Sequence, residues 1–196
     1  IEPKVRGFIC TTSQPEGCKE NGRKQITYRK NLPKGNGPKK VLVIGAITGY
    51  GLASRIASTY GCDAATVGVI FDKPASGSRT ATAGWYNTAA FEEFAAKDGY
   101  YAKTINGDAF SAEIKKQTID LIKQELGQID CVVYSLAAPK RTTSDGTTYT
   151  SVLKCTGEDF VNTTVDLKTK EIVEVTVPKA TEQEIHDHIK VMGGED

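Results

Sequence analysis

The 196-residue chain has no apolar run of the length a bilayer crossing needs, and it has almost no net charge, 25 basic against 24 acidic residues leaving +1. The first absence excludes a membrane-spanning helix. The second removes the basic surface expected of a nucleic-acid or anionic-lipid binder, so Lys39-Lys40 and Lys115-Lys116 read as solvated pairs. Cysteine is sparse and odd in number: Cys10, Cys18, Cys62, Cys131 and Cys155 contain no C-x-x-C, and the step from Cys10 to Cys18 is too wide for a zinc knuckle. A reduced, intracellular protein of the cytoplasm or mitochondrial matrix is expected, with Cys131 a small hydrophobe in an apolar strand. The only histidines, His186 and His188, are two apart on a predicted helix. That places them about 200° apart around it, so they cannot share a metal and read as surface residues. The opening Ile-Glu-Pro-Lys-Val-Arg has neither the character of a signal peptide nor an initiator Met, so either a processed start or a start upstream of Ile1 is expected, and a removed targeting peptide stays open.

What is present centres on residues 40–51, Lys-Val-Leu-Val-Ile-Gly-Ala-Ile-Thr-Gly-Tyr-Gly. Val41 to Ile44 read as a strand buried on both faces, as in a parallel sheet. Gly45, Gly49 and Gly51 follow at the spacing G-x-x-x-G-x-G, then an amphipathic helix over Leu52–Tyr60 with Gly61 as its stop. Strand, glycine-rich turn and helix build a pyrophosphate site, because glycines admit the phosphates to the backbone and the helix N-terminus favours an anion. Alone, the glycine spacing fits a tight structural turn equally well. The next unit changes that balance: a second strand, Ala64–Phe71, ends at Asp72, 21 residues past Gly51. There an acid takes the ribose hydroxyl of NAD and repels a 2′-phosphate, favouring NADH over NADPH. The plainer reading of Asp72 is a turn residue before Lys73-Pro74.

The chain length suits one domain, or one domain with an appendage. Residues 1–39 read as an N-terminal extension, with a short strand over Val5–Cys10, a Gln-Pro-Glu-Gly turn, part of a helix at Gln25–Tyr28 and a glycine-rich linker from Pro33 to Pro38. Residues 40–139 form the nucleotide-binding core. After the loop 74–84, Trp85-Tyr86-Asn87 precede a helix over Thr88–Lys97 that Gly99 stops, and a third strand runs from Tyr101 to Ile105. Asp108-Ala109 follow it, either beside an adenine pocket or with Asp108 capping the turn. Ser111 caps a helix whose buried stripe is Ile114, Thr118, Leu121, Ile122 and Leu126, with Gly127 at its stop. The fourth strand, Ile129–Leu136, ends in the small residues Ala137 and Ala138, which admit the nicotinamide ribose. The fold class is therefore α/β: a Rossmann-type parallel sheet in the order 3-2-1-4, like that of short-chain dehydrogenases. Residues 140–196 change pattern to an antiparallel excursion, with a Ser-Asp-Gly-Thr hairpin turn, alternation over Thr163–Pro178, and a capping box Thr181-Glu-Gln-Glu184 opening a last helix.

Together these stretches resemble the trans-2-enoyl-CoA reductase family, which includes the FabV-type enoyl-ACP reductases. The resemblance is carried by Arg6-Gly7-Phe8-Ile9-Cys10-Thr11-Thr12, Val41 to Ala46, Thr48 to Ile56, Ala83-Gly84-Trp85-Tyr86-Asn87, Ile105 to Ser111, Val133 to Pro139 and Val191 to Asp196. It implies NADH-dependent reduction of the C2–C3 double bond of an enoyl thioester, CoA- or ACP-borne, in fatty acid synthesis. It further implies that Gly45, Ala46, Ile47, Thr48, Gly49, Tyr50 and Gly51 hold the pyrophosphate. Phe71 and Asp72 take the adenosine, Asp108 and Ala109 the adenine side, and Leu136 and Ala137 the nicotinamide side. Where the family commonly carries Glu at the ribose, Asp72 keeps the charge on a shorter arm. The family is about twice as long, and its catalytic Tyr-x8-Lys lies beyond residue 196. None of the eight tyrosines here has a lysine nine, or four, residues on, so no catalytic residue and no metal ligand is assigned within the chain. The chain is thus expected to be the cofactor half of such a reductase, partnered by the missing half. The alternative is a catalytically silent member serving as a structural subunit, with an apolar face near the sheet covered by another chain. A different NAD-binding module is disfavoured by the matches at 6–12 and 191–196.

Overall fold

The computed structural model describes residues 1–6 and 9–194. The chain divides into two compact units, Ile1–Ser135 and Leu136–Asp196. Gly7 and Phe8, and Glu195 and Asp196 at the far end, belong to stretches that carry the family resemblance and lie outside the described residues.

The first unit opens with two short antiparallel strands, β1 (Val5–Arg6) and β2 (Ile9–Cys10), and helix α1 (Pro15–Lys30). The sequence reads a turn at Gln-Pro-Glu-Gly, but Pro15 instead begins the helix. Proline lacks an N–H that the first helical turn would not use, so it starts a helix as readily as a turn. Then come β3 (Lys40–Ile44), α2 (Gly49–Cys62), β4 (Ala65–Ile70), α3 (Ala83–Lys97), β5 (Ala102–Asn106), α4 (Ala112–Glu125) and β6 (Cys131–Tyr134). The four strands β3 to β6 pair in parallel in the order β5-β4-β3-β6. That is the 3-2-1-4 order expected from the sequence.

One face of this sheet is closed. Val41 and Val43 are fully buried, and Ile26, Leu52, Ile56, Tyr60, Phe91 and Ala95 from α1, α2 and α3 form a continuous core. The other face is covered only in part. There α4 lies over Leu42, Ile44 and Val69 through Ile114, Thr118 and Ile119, yet Val132 and Tyr134 stay 57% and 51% exposed. The stripe expected on α4 is accordingly buried only at Thr118 and Leu126, while Ile119 is half-exposed. One helix cannot cover a face four strands wide.

Further helix boundaries differ from the sequence reading, among them the start of α2, at Gly49 where Leu52 is expected. Helix α3 starts at Ala83, so Trp85, Tyr86 and Asn87 lie inside it, and Thr82 caps it by accepting from the Trp85 N–H. Gly84 and Asn87 are poor helix formers on propensity alone, but both are buried here, and packing decides. Gly61 does not end α2: the left-handed residue is Asp63, with φ 54°, and Gly61 lies within the helix. Its missing side chain makes room for Arg29, whose Nη2 lies 2.3 Å from where a Cβ would be.

The second unit holds two antiparallel hairpins, β7 (Lys140–Thr142) with β8 (Thr148–Thr150) and β9 (Phe160–Val165) with β10 (Ile172–Val177), and helix α5 (Glu182–Met192). The capping box is formed: Thr181 Oγ1 accepts from the Glu184 N–H, and the Glu184 carboxylate accepts from the Thr181 N–H. His186 is exposed as expected. His188 is not a plain surface residue, since its Nδ1 is closed off from solvent.

Candidate functional site

The carboxyl ends of β3, β4 and β5 bring the expected residues of the first unit to one edge. Gly45 leaves β3 at φ +86°, and its N–H and that of Ala46 donate to Val69 O at 2.9 and 3.2 Å. The chain then folds back so tightly that a Cβ on Gly51 would lie 2.0 Å from Gly45 O. Gly49, at φ +51°, has nothing within 4 Å of its Cβ position. The three glycines therefore have separate reasons: a left-handed exit, a left-handed entry to α2, and contact of two backbones. Thr48 occupies the N-cap of α2 without a side-chain capping bond, and the first turn holds no acidic residue. The amino end of α2 thus keeps unused N–H groups and an uncompensated positive dipole end. The carbonyl of Ile47 is held from the other side by Asn87 Nδ2 at 3.2 Å. Tyr50 stands 88% exposed over this turn, and Phe71, after β4, is 74% exposed.

Asp72 follows Phe71. Asn106 Nδ2 donates to its main-chain oxygen at 3.0 Å, and Asn106 Oδ1 accepts from its N–H at 2.9 Å. The Asp72 Oδ2 is closed off from solvent without a hydrogen-bond partner. A carboxylate oxygen in that position is stabilised only by the field around it, here the amino end of α3, since Oδ2 would lie 2.1 Å from a Cβ on Gly84. At the end of β5, Asp108 Oδ1 accepts the Phe110 N–H at 3.0 Å, so this side chain does cap its turn. Ala109 lines the groove between α4 and the sheet. After β6, the Ser135 N–H donates to Ile44 O at 2.8 Å, which brings the end of that strand beside the glycine turn. Leu136 and Ala137 come next in the chain and belong to the second unit.

Gly84, Asn87 and Asn106 lie in stretches that carry the family resemblance, but the sequence assigns them no role in the site. Asn106-Gly107 looks like turn material, and Gly84 like loop. Their contacts run between elements, and no local pattern encodes them. Among the described residues, no three His, Cys, Asp or Glu gather as a metal site would require, and no helix is long and apolar enough to cross a membrane.

Residues 79–196 match the family model described as the trans-2-enoyl-CoA reductase catalytic region, and residues 1–77 match the NAD(P)H binding domain of trans-2-enoyl-CoA reductase. The chain belongs to the trans-2-enoyl-CoA reductase family. Among its relatives, the NADH enoyl-acyl-carrier-protein reductase of Shewanella sp. (strain W3-18-1) is 57% identical over 198 residues, covering 100% of this chain and 49% of that protein. The NADH trans-2-enoyl-CoA reductase of Ruminiclostridium cellulolyticum is 56% identical, covering 100% of this chain and 50% of that one. The crystal structure of the Clostridium acetobutulicum trans-2-enoyl-CoA reductase in complex with NADH superimposes with a TM-score of 0.89 at 43% identity, over 100% of this chain and 50% of that one. The Treponema denticola reductase, in complex with NAD, gives 0.86 at 45%, over 100% and 51%. The chain thus spans about half the length of the family members it matches.

Proposed function

We propose that this chain is the cofactor-binding half of an enzyme that uses NADH to reduce the C2–C3 double bond of trans-2-enoyl thioesters, carried by CoA or acyl carrier protein. The observation that carries this reading is the contact of Gly51 with the Gly45 carbonyl at the foot of an uncapped helix, with a carboxylate at the end of the neighbouring strand. A cradle that a single Cβ would fill fits a pyrophosphate, and Asp72 fits a ribose hydroxyl better than a 2′-phosphate. Gly45 to Gly51 would bind the pyrophosphate, Phe71 and Asp72 the adenosine, Asp108 and Ala109 the adenine side, and Leu136 and Ala137 the nicotinamide side. When bound, the cofactor supplies the hydride. Proton delivery is assigned to no residue here, because no tyrosine is followed by a lysine at the family's spacing.

The half-covered sheet face at Val132 and Tyr134 supports a cover supplied by the rest of the reductase, its relatives being about twice as long. The same face fits a catalytically silent subunit covered by another protein. Cofactor binding tests the first reading, and a silent subunit that keeps NADH stays compatible with it. Titration with NADH and NADPH, followed by ligand fluorescence, should give saturable NADH binding and weaker NADPH binding. Asp72→Ala should narrow that difference by about tenfold, the worth of one hydrogen bond to a charged group. Failure of the chain to bind either nucleotide would leave the structural-subunit reading in front.

A further inference from the structure

Asp72 is placed by two residues that the cofactor reading does not include. Parallel pairing of β4 with β5 ends at Ile70 and Asn106, and the Gly107 N–H closes it by donating to Ile70 O at 2.8 Å. Phe71 and Asp72 then run past the ladder. The Asn106 side-chain amide replaces the missing strand, donating to the Asp72 carbonyl at 3.0 Å and accepting from its N–H at 2.9 Å. This two-way bond has the pattern of a backbone pair, and it fixes the peptide on each side of the Asp72 Cα.

The second constraint acts on the side chain. Oδ2 is sealed against Gly84, in the space a Cβ would fill, and a Cβ there would also lie 2.7 Å from Ile47 Cβ. Gly84 therefore lets the glycine turn, the β4 end and the α3 amino end meet at one point. A planar carboxylate with one oxygen wedged in that gap cannot turn freely about its two side-chain bonds. An aspartate arm is short, so backbone placement rather than side-chain reach decides where its charge stands.

Resting on the cofactor reading above, we propose that Asn106 and Gly84 are positioning residues that aim Asp72 and thereby set the preference for a dinucleotide with a free 2′-hydroxyl over one with a 2′-phosphate. Neither touches the nucleotide itself; both act through Asp72.

The experiment measures NADH and NADPH dissociation constants for the full chain, Asp72→Ala, Asn106→Leu, Gly84→Ala and the double variant Asp72→Ala/Asn106→Leu, with folding checked by circular dichroism. Asn106→Leu and Gly84→Ala should each lower the NADPH-to-NADH ratio of dissociation constants several-fold toward that of Asp72→Ala. In the Asp72→Ala background, Asn106→Leu should leave the ratio unchanged. A merely structural loss would weaken both nucleotides alike and leave the ratio where it was. A folded Asn106→Leu with the original ratio, beside an Asp72→Ala with an altered one, overturns the positioning role alone. So does a further change of ratio in the double variant. An unaltered ratio in Asp72→Ala overturns the assignment of Asp72 to the ribose and this proposal with it, whereas failure of the full chain to bind either nucleotide overturns the cofactor reading. Gly84→Ala leaves Asn106 in place, so it makes the same test if Asn106→Leu does not fold.

Discussion

The guanidinium of Arg55 occupies the space that a side chain at Gly68 would need: Nη1 lies 2.6 Å from the position of a Cβ there. The group is fully buried between α2 and the sheet. Nε donates to Thr66 Oγ1 at 3.2 Å, Nη1 to Thr104 Oγ1 at 2.7 Å and Nη2 to Lys103 O at 2.7 Å, while the Phe91 ring lies 4.6 Å away. Burial lowers its pKa to about 10, against the opposing pull of Glu92, whose Oε1 is 3.8 Å away. It is therefore still charged at neutral pH. Since α2 carries the glycine turn at its amino end, this arginine ties the candidate site to β4 and β5.

Removing that tie should destabilise the whole first unit. Arg55→Ala removes three buried hydrogen bonds, though Thr66 Oγ1 keeps a second donor in Thr59 Oγ1, and opens a cavity, so a loss of about 3 kcal/mol is expected in urea unfolding. Gly68→Val should be similarly severe, because the new side chain meets the guanidinium. A loss under about 0.5 kcal/mol for either, the range of an ordinary surface change, would contradict this account.

The glycines of the turn should respond unequally. Gly51→Ala drives a Cβ into Gly45 O, and the backbone must part, so nucleotide binding is expected to fall by more than tenfold. Gly49→Ala meets no neighbour and suffers only its left-handed φ of +51°, at about 1 kcal/mol. Nucleotide titration beside thermal melting of the two variants checks the order.

The open face of β6 should show itself in solution. With Val132 and Tyr134 half-exposed beside the partly covered Leu42 and Ile44, the isolated chain is expected to self-associate as its concentration rises. Val132→Lys should reduce that association with little change in melting temperature. Sedimentation velocity over a range of concentrations measures both.

Acid should loosen the amino edge of the sheet. The N–H groups of Lys39 and Lys40 donate to the Asp130 carboxylate at 2.9 and 3.0 Å, and these bonds hold its pKa below the ordinary value. A carboxyl group lowered in the folded state stabilises the fold fully above its unfolded pKa, about 3.9. That contribution is lost as pH falls through the lower folded value. Between about pH 5 and about pH 2, the melting temperature of Asp130→Asn should therefore fall less steeply than that of the wild type.

The sequence by itself determined the elements whose signals are local. The run Val41–Ile44, the glycine spacing after it, Ser111 and Thr181 as caps, and the turn between β7 and β8 all depend on residues within one turn or strand of each other. Strand order also followed, because alternating strands and helices leave few ways to wind a parallel sheet. The tertiary structure alone decided where side chains from distant segments share space. Gly61 and Gly68 are small for Arg29 and Arg55, and Gly84 is small for Asp72. Each of those glycines looks like punctuation in the sequence and is a packing contact in the fold. The start of α3 was hidden for the same reason: its first turn is held by Thr82, Asp72 and Ile47, and two of these lie in earlier segments. The bare side of β6 also belongs to the fold. An apolar strand reads the same whether both of its faces are covered or only one.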